Sequence, residues 1–172
     1  ASAQDRATDA REMGRHTGHR GTTGQALGLL AEIARARRDW QGAFQYAEEH
    51  LAALRPGGMG VQLAWALRNL GYAAMETEAP AQAAALFVES LTMFRDQHTM
   101  LGVASSMGGI ATLAARTGRP DLAARLVIAV EATLEAERLA FAPADAMALE
   151  RTAKTVGVAL RRARTDSDAL SV

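Results

Sequence analysis

The sequence predicts an all-α protein, an α-solenoid built from antiparallel helix pairs, and three observations lead to this fold class. Similar residues recur at an offset of forty along most of the 172-residue chain. Apolar residues advance by three and four positions, as they do on one face of a helix. Alanine and leucine dominate the composition, and only 5% of the residues are aromatic. Because alanine loses no side-chain entropy in a helix, this composition favours closely packed helices over a sheet.

The forty-residue repeat is regular enough to align three segments without a gap. Residues 26–31, 66–71 and 106–111 match one another, and the offset continues through the rest of each unit. The further matched sets are Ala34, Ala74 and Ala114; Ala43, Ala83 and Ala123; Tyr46, Leu86 and Leu126; and Leu54, Phe94 and Leu134. Apolar type is kept at nearly every matched position, which indicates a helical-repeat protein.

The whole chain, residues 1–172, is therefore predicted to be a single domain with repeats at about 21–58, 59–98 and 99–140. Each repeat is predicted to contain two helices. In the second repeat the apolar face of the first helix is formed by Leu63, Leu67, Leu70 and Ala74. The apolar face of the second helix is formed by Ala83, Leu86 or Phe87, Ser90 and Phe94.

Turn residues set the boundaries of these helices. Pro80 and Pro120 each follow a turn, and proline is favourable in the first turn of a helix, where its missing N–H would be unpaired anyway. In the first repeat Asp39 takes this place as a candidate helix cap. Residues 56–58 (Pro-Gly-Gly) and 97–99 separate the repeats. The predicted helices span residues 23–37, 40–55, 60–77, 80–96, 101–117 and 120–138.

The C-terminal region departs from the repeat. A final helix at about 144–164 has no partner helix, which suits a capping helix that covers the open face of the last repeat. Residues 1–20 are expected to be the tail of a preceding repeat or a frayed end, so the chain is expected to begin inside a longer solenoid. Residues 165–172 form a polar tail. The apolar face of the final helix is formed by Leu149, Ala153, Val156, Leu160 and Ala163.

The matched residues resemble the tetratricopeptide repeat, which pairs Leu-Gly in its first helix with small and aromatic residues in its second. The second repeat shows this pattern best, with Leu70-Gly71, Ala83, Phe87 and Ser90. The spacing of forty exceeds the usual length of about thirty-four and also falls in the range of HEAT repeats, and aromatic positions are often aliphatic. Small residues at the helix crossing favour the tetratricopeptide interpretation. The corresponding residues are Leu30-Ala31, Ala43, Ala47 and His50 in the first repeat, and Ile110-Ala111, Ala123, Val127 and Val130 in the third.

The longer repeat is also similar to repeats near the C-terminus of large multidomain bacterial transcriptional regulators. Those proteins join a nucleotide-binding switch to a helical-repeat region and, in some cases, to a DNA-binding or cyclase domain. Residues 123–126, 143–144 and 149–151 look like the way such regions end. The resemblance implies a role in transcription regulation or signalling, although no switch or DNA-binding motif lies within this chain.

Composition and charge narrow the classes of function. The chain has 19 basic and 19 acidic residues and a formal net charge of zero, whereas nucleic-acid binders carry a basic excess. We therefore expect no direct contact with nucleic acid. There is no cysteine, no apolar segment typical of a signal peptide and no apolar run of about eighteen residues. We therefore expect a cytoplasmic protein without a membrane partner.

The motifs of enzymes are missing from the sequence. It contains no phosphate-binding Gly-rich loop followed by Lys and Ser/Thr, and no Gly-x-Ser-x-Gly motif. The carboxylate clusters at residues 48–49 and 76–78 are better explained as a solvated helix surface than as an acid–base pair. We predict a protein that is not an enzyme, has no catalytic residues and needs no cofactor.

The four histidines do not predict a metal site. His16 and His19 have a spacing that could place both on one helix face, but no third ligand is evident. A solvated basic turn explains this pair better. His50 and His98 are isolated, and we expect both at helix ends rather than in a site.

The most specific functional prediction concerns the first helix of the second repeat. Side chains beside its apolar face advance by three, one, three and three, so they share a neighbouring face. Trp, Tyr and Arg are common energetic anchors of interfaces. The resemblance implies that first helices line the concave surface, and that an asparagine before Leu-Gly, here Asn69, contacts the ligand backbone. The predicted ligand- or partner-binding residues are Trp65, Arg68, Asn69, Tyr72 and Met75.

Neighbouring repeats add small and polar residues to this predicted groove, and these would leave room for a ligand. They are Gln25, Gly28 and Glu32 in the first repeat, and Ser105, Gly108 and Thr112 in the third. The competing interpretation is that Trp65 and Tyr72 pack on the helices of the adjacent repeat.

Four functional hypotheses follow from these observations, and an enzyme is the least favoured of them. The first is a protein-interaction module of a regulator, which binds a peptide, a protein partner or another domain of its parent protein. The second is a small-molecule sensor whose concave face binds an inducer. The third is a homodimer formed through the open ends of the repeats. A deep pocket in the groove would favour the sensor, an open channel the peptide, and a second copy the dimer.

Overall fold

The protein forms an all-α helical-repeat solenoid. The computed structural model describes residues 2–54, 60–77 and 79–170, without the side chains of residue 164 and residues 166–170. The predicted linker at residues 56–58 and Glu78 lie outside this described part. The described helices are α1 (Ala3–Thr17), α2 (Arg20–Ala36), α3 (Trp40–Leu54), α4 (Gly60–Glu76), α5 (Pro80–Asp96), α6 (Met100–Arg116), α7 (Pro120–Ala136), α8 (Pro143–Thr155) and α9 (Gly157–Leu170).

Successive helices from α1 to α7 pack against one another, with α2–α3, α4–α5 and α6–α7 forming the three helix pairs. The first helices of these pairs, α2, α4 and α6, also contact each other in a row. Within the described residues the second helices, α3, α5 and α7, make no such contacts with each other. The row of first helices is therefore the more closely packed side of the solenoid, and we call it the concave face.

The packing between repeats depends on Phe87 of α5, which is fully buried. Its ring fills the space left by two glycines, Gly71 on α4 and Gly109 on α6. A β-carbon at Gly109 would lie only 2.4 Å from the Phe87 ring, and one at Gly71 only 2.9 Å. Two buried hydroxyls extend this contact, since Ser90 Oγ lies 3.0 Å from Ser106 Oγ and donates to the Ala64 carbonyl oxygen. Phe87, not Leu86, therefore occupies the centre of the predicted apolar face.

The predicted helix starts are confirmed. Pro80 and Pro120 are the first residues of α5 and α7. The Asp39 carboxylate accepts a hydrogen bond of 2.9 Å from the Gly42 backbone N–H, so this side chain caps α3. The sequence therefore specifies these boundaries through local chemistry.

Both ends of the chain are more helical than the sequence predicts. Helix α1 starts with a reciprocal capping box between Ser2 and Asp5 and ends at Gly18, which has a positive φ of 69°. The predicted final helix at 144–164 is divided in two at Val156, where α8 ends. Helix α9 continues along α7, whereas α8 turns onto α2 and α6. No helix in the described residues is long and apolar enough to cross a membrane.

Candidate functional site on the concave face

Helix α8 lies across the concave face and contacts α6 at one side and α2 at the other. Its inward face is formed by small residues, because Ala144, Ala148 and Thr152 are each buried at intervals of four. Thr152 Oγ1 lies 2.9 Å from Thr112 Oγ1 of α6. The part of the predicted groove that belongs to the third repeat is thus occupied by a helix of the same chain.

A buried cluster of charges holds the start of α8. Asp145, only 5% exposed, forms ion pairs with Arg35 of α2 and Arg68 of α4. Ser105 of α6 accepts a hydrogen bond from Arg68 and donates one of 2.6 Å to Asp145. The second Arg68 nitrogen contacts the Glu32 carboxylate at 2.7 Å. Two guanidinium groups and two carboxylates balance within the cluster, which a buried site requires.

Two opposing effects set the pKa values in this cluster: the charges of neighbouring groups and the burial of each group. Burial acts to raise the pKa of the Asp145 carboxyl, but Arg68, Arg35 and the hydrogen bond from Ser105 outweigh it and hold this pKa below its ordinary value. Burial acts to lower the pKa of Arg68, but Asp145 and Glu32 outweigh it and raise that pKa. Both groups are therefore charged at neutral pH, and the contact between α8 and the concave face is ionic.

Aromatic rings support the two arginines. The Arg35 guanidinium carbon lies 4.1 Å from the centre of the Tyr72 ring, and that of Arg68 lies 4.6 Å from the Trp65 ring. Each ring is held edge-on by a phenylalanine, with Tyr72–Phe87 centres 5.1 Å apart and Trp65–Phe94 centres 4.6 Å apart. Burial raises the pKa of the Tyr72 phenol to about 12. These rings orient the arginines towards α8.

The five predicted binding residues lie together on α4, but their face is not open. Arg68 is 0% exposed, and Asn69, Tyr72 and Met75 are each buried, while Trp65 is half-buried. Helices α2 and α6 pack on either side of α4, and Asp145 of α8 reaches Arg68 from above this face. The Tyr72 and Trp65 rings pack against Phe87 and Phe94 of α5, in the same repeat, and Arg68 forms its contacts within the charge cluster.

Four of these five residues, all except Arg68, nevertheless border two cavities, one on either side of Arg68. Trp65 and Asn69 line a cavity of about 260 Å³ between α2 and α4, which we call the His50 cavity. Its wall on α2 includes Gln25, Gly28 and Glu32, as the sequence predicts for the groove. Tyr72 and Met75 line a cavity of about 210 Å³ at the C-terminal ends of the first helices, beside α8.

The cavity beside α8 is rich in arginine. Arg38, Arg116 and Arg151 line it, and Arg116 forms an ion pair with Glu76, which also lines it. Several of these cations stand at the ends of helices, where they offset the negative end of the helix dipole. This accounts for Arg38 and Arg116 but not for Arg151, which lies within α8.

Three important residues were not singled out by the sequence reasoning. Asp145 follows Pro143 in the first turn of α8, but nothing local identifies its partners 77 and 110 positions away. Arg35 was likewise unremarkable, since it is one arginine among several near the C-terminal end of α2. The sequence predicts His50 at a helix end. It lies one turn before the end of α3, but it is only 2% exposed and lines the His50 cavity. The sequence did contain a signal for His50, because the other two repeats have Ser90 and Val130 at the matching position.

The other titratable groups take the places that the sequence predicts. His16, His19 and His98 are exposed, as are Glu48 and Glu49. Within the described residues no group of three or more His, Cys, Asp or Glu side chains is arranged to hold a metal ion.

Comparison with known proteins adds no family to this picture. The sequence matches no protein-family model, and no curated protein is significantly similar to it. The functional argument therefore rests on the geometry of the concave face.

Proposed function

We propose that this chain is a non-catalytic protein-interaction module, of tetratricopeptide type, within a cytoplasmic transcriptional or signalling regulator. Its partner is a helical segment of another protein or of another domain of the parent protein, bound on the concave face. The sequence resemblance at Leu70-Gly71, Ala83, Phe87 and Ser90 supports the type. The packing of Phe87 between Gly71 and Gly109 agrees with it.

The observation that carries this proposal is the occupation of the concave face by α8. A surface that buries one helix through an ionic cluster and a row of small residues has the chemistry to bind a similar helix. Arg35 and Arg68, oriented by Tyr72 and Trp65, supply the cationic half of that recognition. We infer that α8 and the partner helix compete for the same arginines.

The contacts of α8 define the partner sequence. Asp145 is in the first turn of the helix, and the small buried residues Ala148 and Thr152 follow it three and seven positions later. A partner helix is expected to carry an acidic residue in its first turn and small residues at the same two spacings. A bulky residue at either small position would clash with α4 or α6.

The test uses a variant that releases α8 from its site. Ala148→Glu places a carboxylate in the apolar cluster with Tyr72 and Met75, whereas Ala146→Glu makes the same change on the exposed side of α8. A labelled peptide with the sequence of residues 141–156 is titrated against both variants by fluorescence anisotropy. We expect it to bind the Ala148→Glu chain on the order of a hundredfold more tightly, because tethered α8 competes at an effective concentration of about millimolar in the control.

A second peptide carrying Asp145→Asn identifies the ionic contact. It is expected to bind the opened chain at least about tenfold more weakly, since both arginines lose their buried partner. If the unmodified peptide fails to bind an Ala148→Glu chain whose circular dichroism is still helical, the concave face is not a helix-binding surface. The proposed function would then be wrong.

A further inference from the structure

The surface between α1 and α2 has an apolar groove that no helix of the described residues fills. Its volume is about 260 Å³, and its apolar lining consists of Ala3, Ala7 and Ala10 of α1 together with Ala26 and Leu29 of α2. Leu29 is 44% exposed. Since the outer face of a terminal repeat is usually polar, an apolar groove in this place needs an explanation. We call it the α1–α2 groove.

The offset of forty residues extends to α1 and matches it to the second helices of the repeats. Ala3, Ala7 and Ala10 align with residues 43, 47 and 50 of α3 and with residues 83, 87 and 90 of α5. All of these matched residues in α3 and α5 are buried. Ala7 is buried as well, but Ala3 is exposed and Ala10 is half-buried. Helix α1 thus has the core positions of a second helix, and part of that face is uncovered.

The matching groove between α5 and α6 is filled by a first helix. Helix α4 packs against both α5 and α6. Ser90, at the position that matches Ala10, donates a hydrogen bond of 2.8 Å to the Ala64 carbonyl oxygen of α4. The surface that is open on α1 is therefore covered by the preceding first helix on α5.

The matching groove between α3 and α4 is filled in the same way by α2. A β-carbon at Gly24 of α2 would lie 3.3 Å from His50 Nε2 and 2.7 Å from Gln62 Oε1. These two residues match lining residues of the α1–α2 groove at an offset of forty. Asn69, at the position of Leu29, is only 4% exposed because α2 and its neighbours cover it. Two copies of this groove within the chain thus receive the same kind of helix.

The three first helices define the sequence that such a groove receives. They share a small residue, then Ala or Ser followed directly by Leu or Met, then Leu or Ile followed directly by a small residue, and finally Ala. In α2 these positions are all buried, and they are Gly24, Ala26, Leu27, Leu30, Ala31 and Ala34. Among the second helices α3 resembles α1 most closely, since it has alanine at residues 43 and 47. The sequence of α2, which packs on α3, is therefore the best match for the α1–α2 groove.

We propose that the α1–α2 groove binds an amphipathic helix from outside this chain that carries the pattern of a first helix. The bound helix lies on Ala3, Ala7 and Ala10 and continues the row formed by α2, α4 and α6. This surface goes beyond the proposed function and does not depend on it. Its lining on α2 lies within residues 22–29, whereas α8 contacts α2 through Arg35.

The experiment supplies such a helix at a high effective concentration by joining a copy of residues 20–40 directly to Ala1. This junction keeps the spacing of the repeats, because Ala1 matches position 41 at an offset of forty. The Tm of the grafted chain is expected to rise by at least about 5 °C over that of the original chain. Amide hydrogen exchange in α1 is expected to slow at least about tenfold, because the added helix covers it.

Substitutions test where the added helix lies and what it must contain. The gain in Tm is measured between grafted and ungrafted chains that carry the same substitution. Ala10→Glu places a carboxylate beneath the added helix and is expected to remove most of the gain. Ala132→Glu, on the exposed side of α7, is the matched control and should keep it. Leu27→Gln together with Leu30→Gln, made only in the added copy, should also remove it.

An unchanged Tm after grafting, or a gain that survives Ala10→Glu, overturns the proposal, because the groove then does not receive the helix. Sedimentation equilibrium of the ungrafted chain provides a further check. A dimer that Ala10→Glu dissociates would identify a second copy as the occupant and would also overturn the proposal. Each of these failures is separate from failure of the helix-binding function, since the peptide titration reports on Arg35 and Arg68 beneath α8.

Discussion

Individual polar residues in the interior show how this chain handles buried charge. Arg68 is fully buried, yet its guanidinium contacts Asp145, Glu32, Ser105 and Asn69. Removing one partner of such a pair usually destabilises a protein more than the intact pair stabilises it, because the remaining charge stays buried. The cluster is therefore better understood as a device that fixes the position of α8 than as a source of net stability.

His50 makes the free energy of unfolding depend on pH. Its ordinary pKa of 6.5 is lowered to about 4 by burial, so the unfolded chain takes up a proton at a higher pH than the folded chain. The stability that depends on neutral His50 is present above pH 6.5 and is lost as the pH falls towards 4. By linkage the loss is about 3 kcal/mol. The pKa of Asp145 lies below its ordinary 3.8, so its contribution is lost only at lower pH.

Urea denaturation at pH 7, 5.5 and 4.5 measures this dependence. His50→Leu is expected to remove most of the fall in stability across this range, whereas His98→Leu, at an exposed turn, is expected to keep it. If the wild-type and His50→Leu chains lose the same stability between pH 7 and 4.5, His50 is not buried in the neutral form.

At the scale of the helices, the Phe87 ring of α5 fits into a gap on α6 where a side chain is missing. Phe87 has no room for a β-carbon at Gly109, but the neighbouring Gly108 is open, with the Phe141 ring 3.9 Å from a β-carbon placed there. Adjacent glycines on one helix thus have opposite roles. At Gly109 the missing side chain is required for packing, and at Gly108 it only weakens the helix.

This difference predicts opposite effects for two alanine substitutions. Gly109→Ala is expected to destabilise the chain by roughly 1–3 kcal/mol through overpacking against Phe87. Gly108→Ala is expected to stabilise it by about 0.5–1 kcal/mol, because alanine favours the helix and nothing obstructs it. Thermal and urea unfolding measure both values. A destabilising Gly108→Ala, or a neutral Gly109→Ala, would contradict the packing described for α6.

At the scale of the whole molecule, α8 connects repeats that are not neighbours. In a solenoid each repeat contacts only the adjacent repeats, and its stability is a sum of local terms. Here α8 starts after the third repeat and returns to α2 of the first. The first and third repeats are therefore coupled through Arg35, Arg68 and Asp145, and the ends of the solenoid are expected to unfold together.

Native-state hydrogen exchange of the Ala148→Glu and Ala146→Glu chains measures this coupling. In the Ala148→Glu chain we expect residues 143–155 to lose protection first, because a carboxylate is placed at a position that is 5% exposed. We further expect α2 and α3 to become less protected than in the Ala146→Glu chain, since the first repeat loses its contact with α8. Unchanged protection of α2 and α3 would mean that α8 covers the concave face without coupling the repeats.

The sequence alone determines the repeat and the helices. The offset of forty, the prolines at the starts of α5 and α7 and the cap at Asp39 are local signals, and each specifies its element because the interaction spans only a few residues. The packing of Phe87 on Gly71 is partly visible in the sequence, since Ala31 and Ala111 keep that position small, whereas Gly109 aligns with Leu29 and Asn69. The predicted residues on α4 do lie together, because one helix positions them all.

The tertiary structure alone decides what happens on the concave face. The helix break at Val156 is marked in the sequence only by Gly157, and it turns α8 onto the groove instead of continuing a single cap. Asp145 meets Arg35 and Arg68 across 110 and 77 residues, and no periodicity encodes such a contact. The same holds for His50, whose unpaired nitrogens depend on glycines of another helix. Local interactions thus specify the helices, whereas buried charges and shape complementarity between distant helices specify the site.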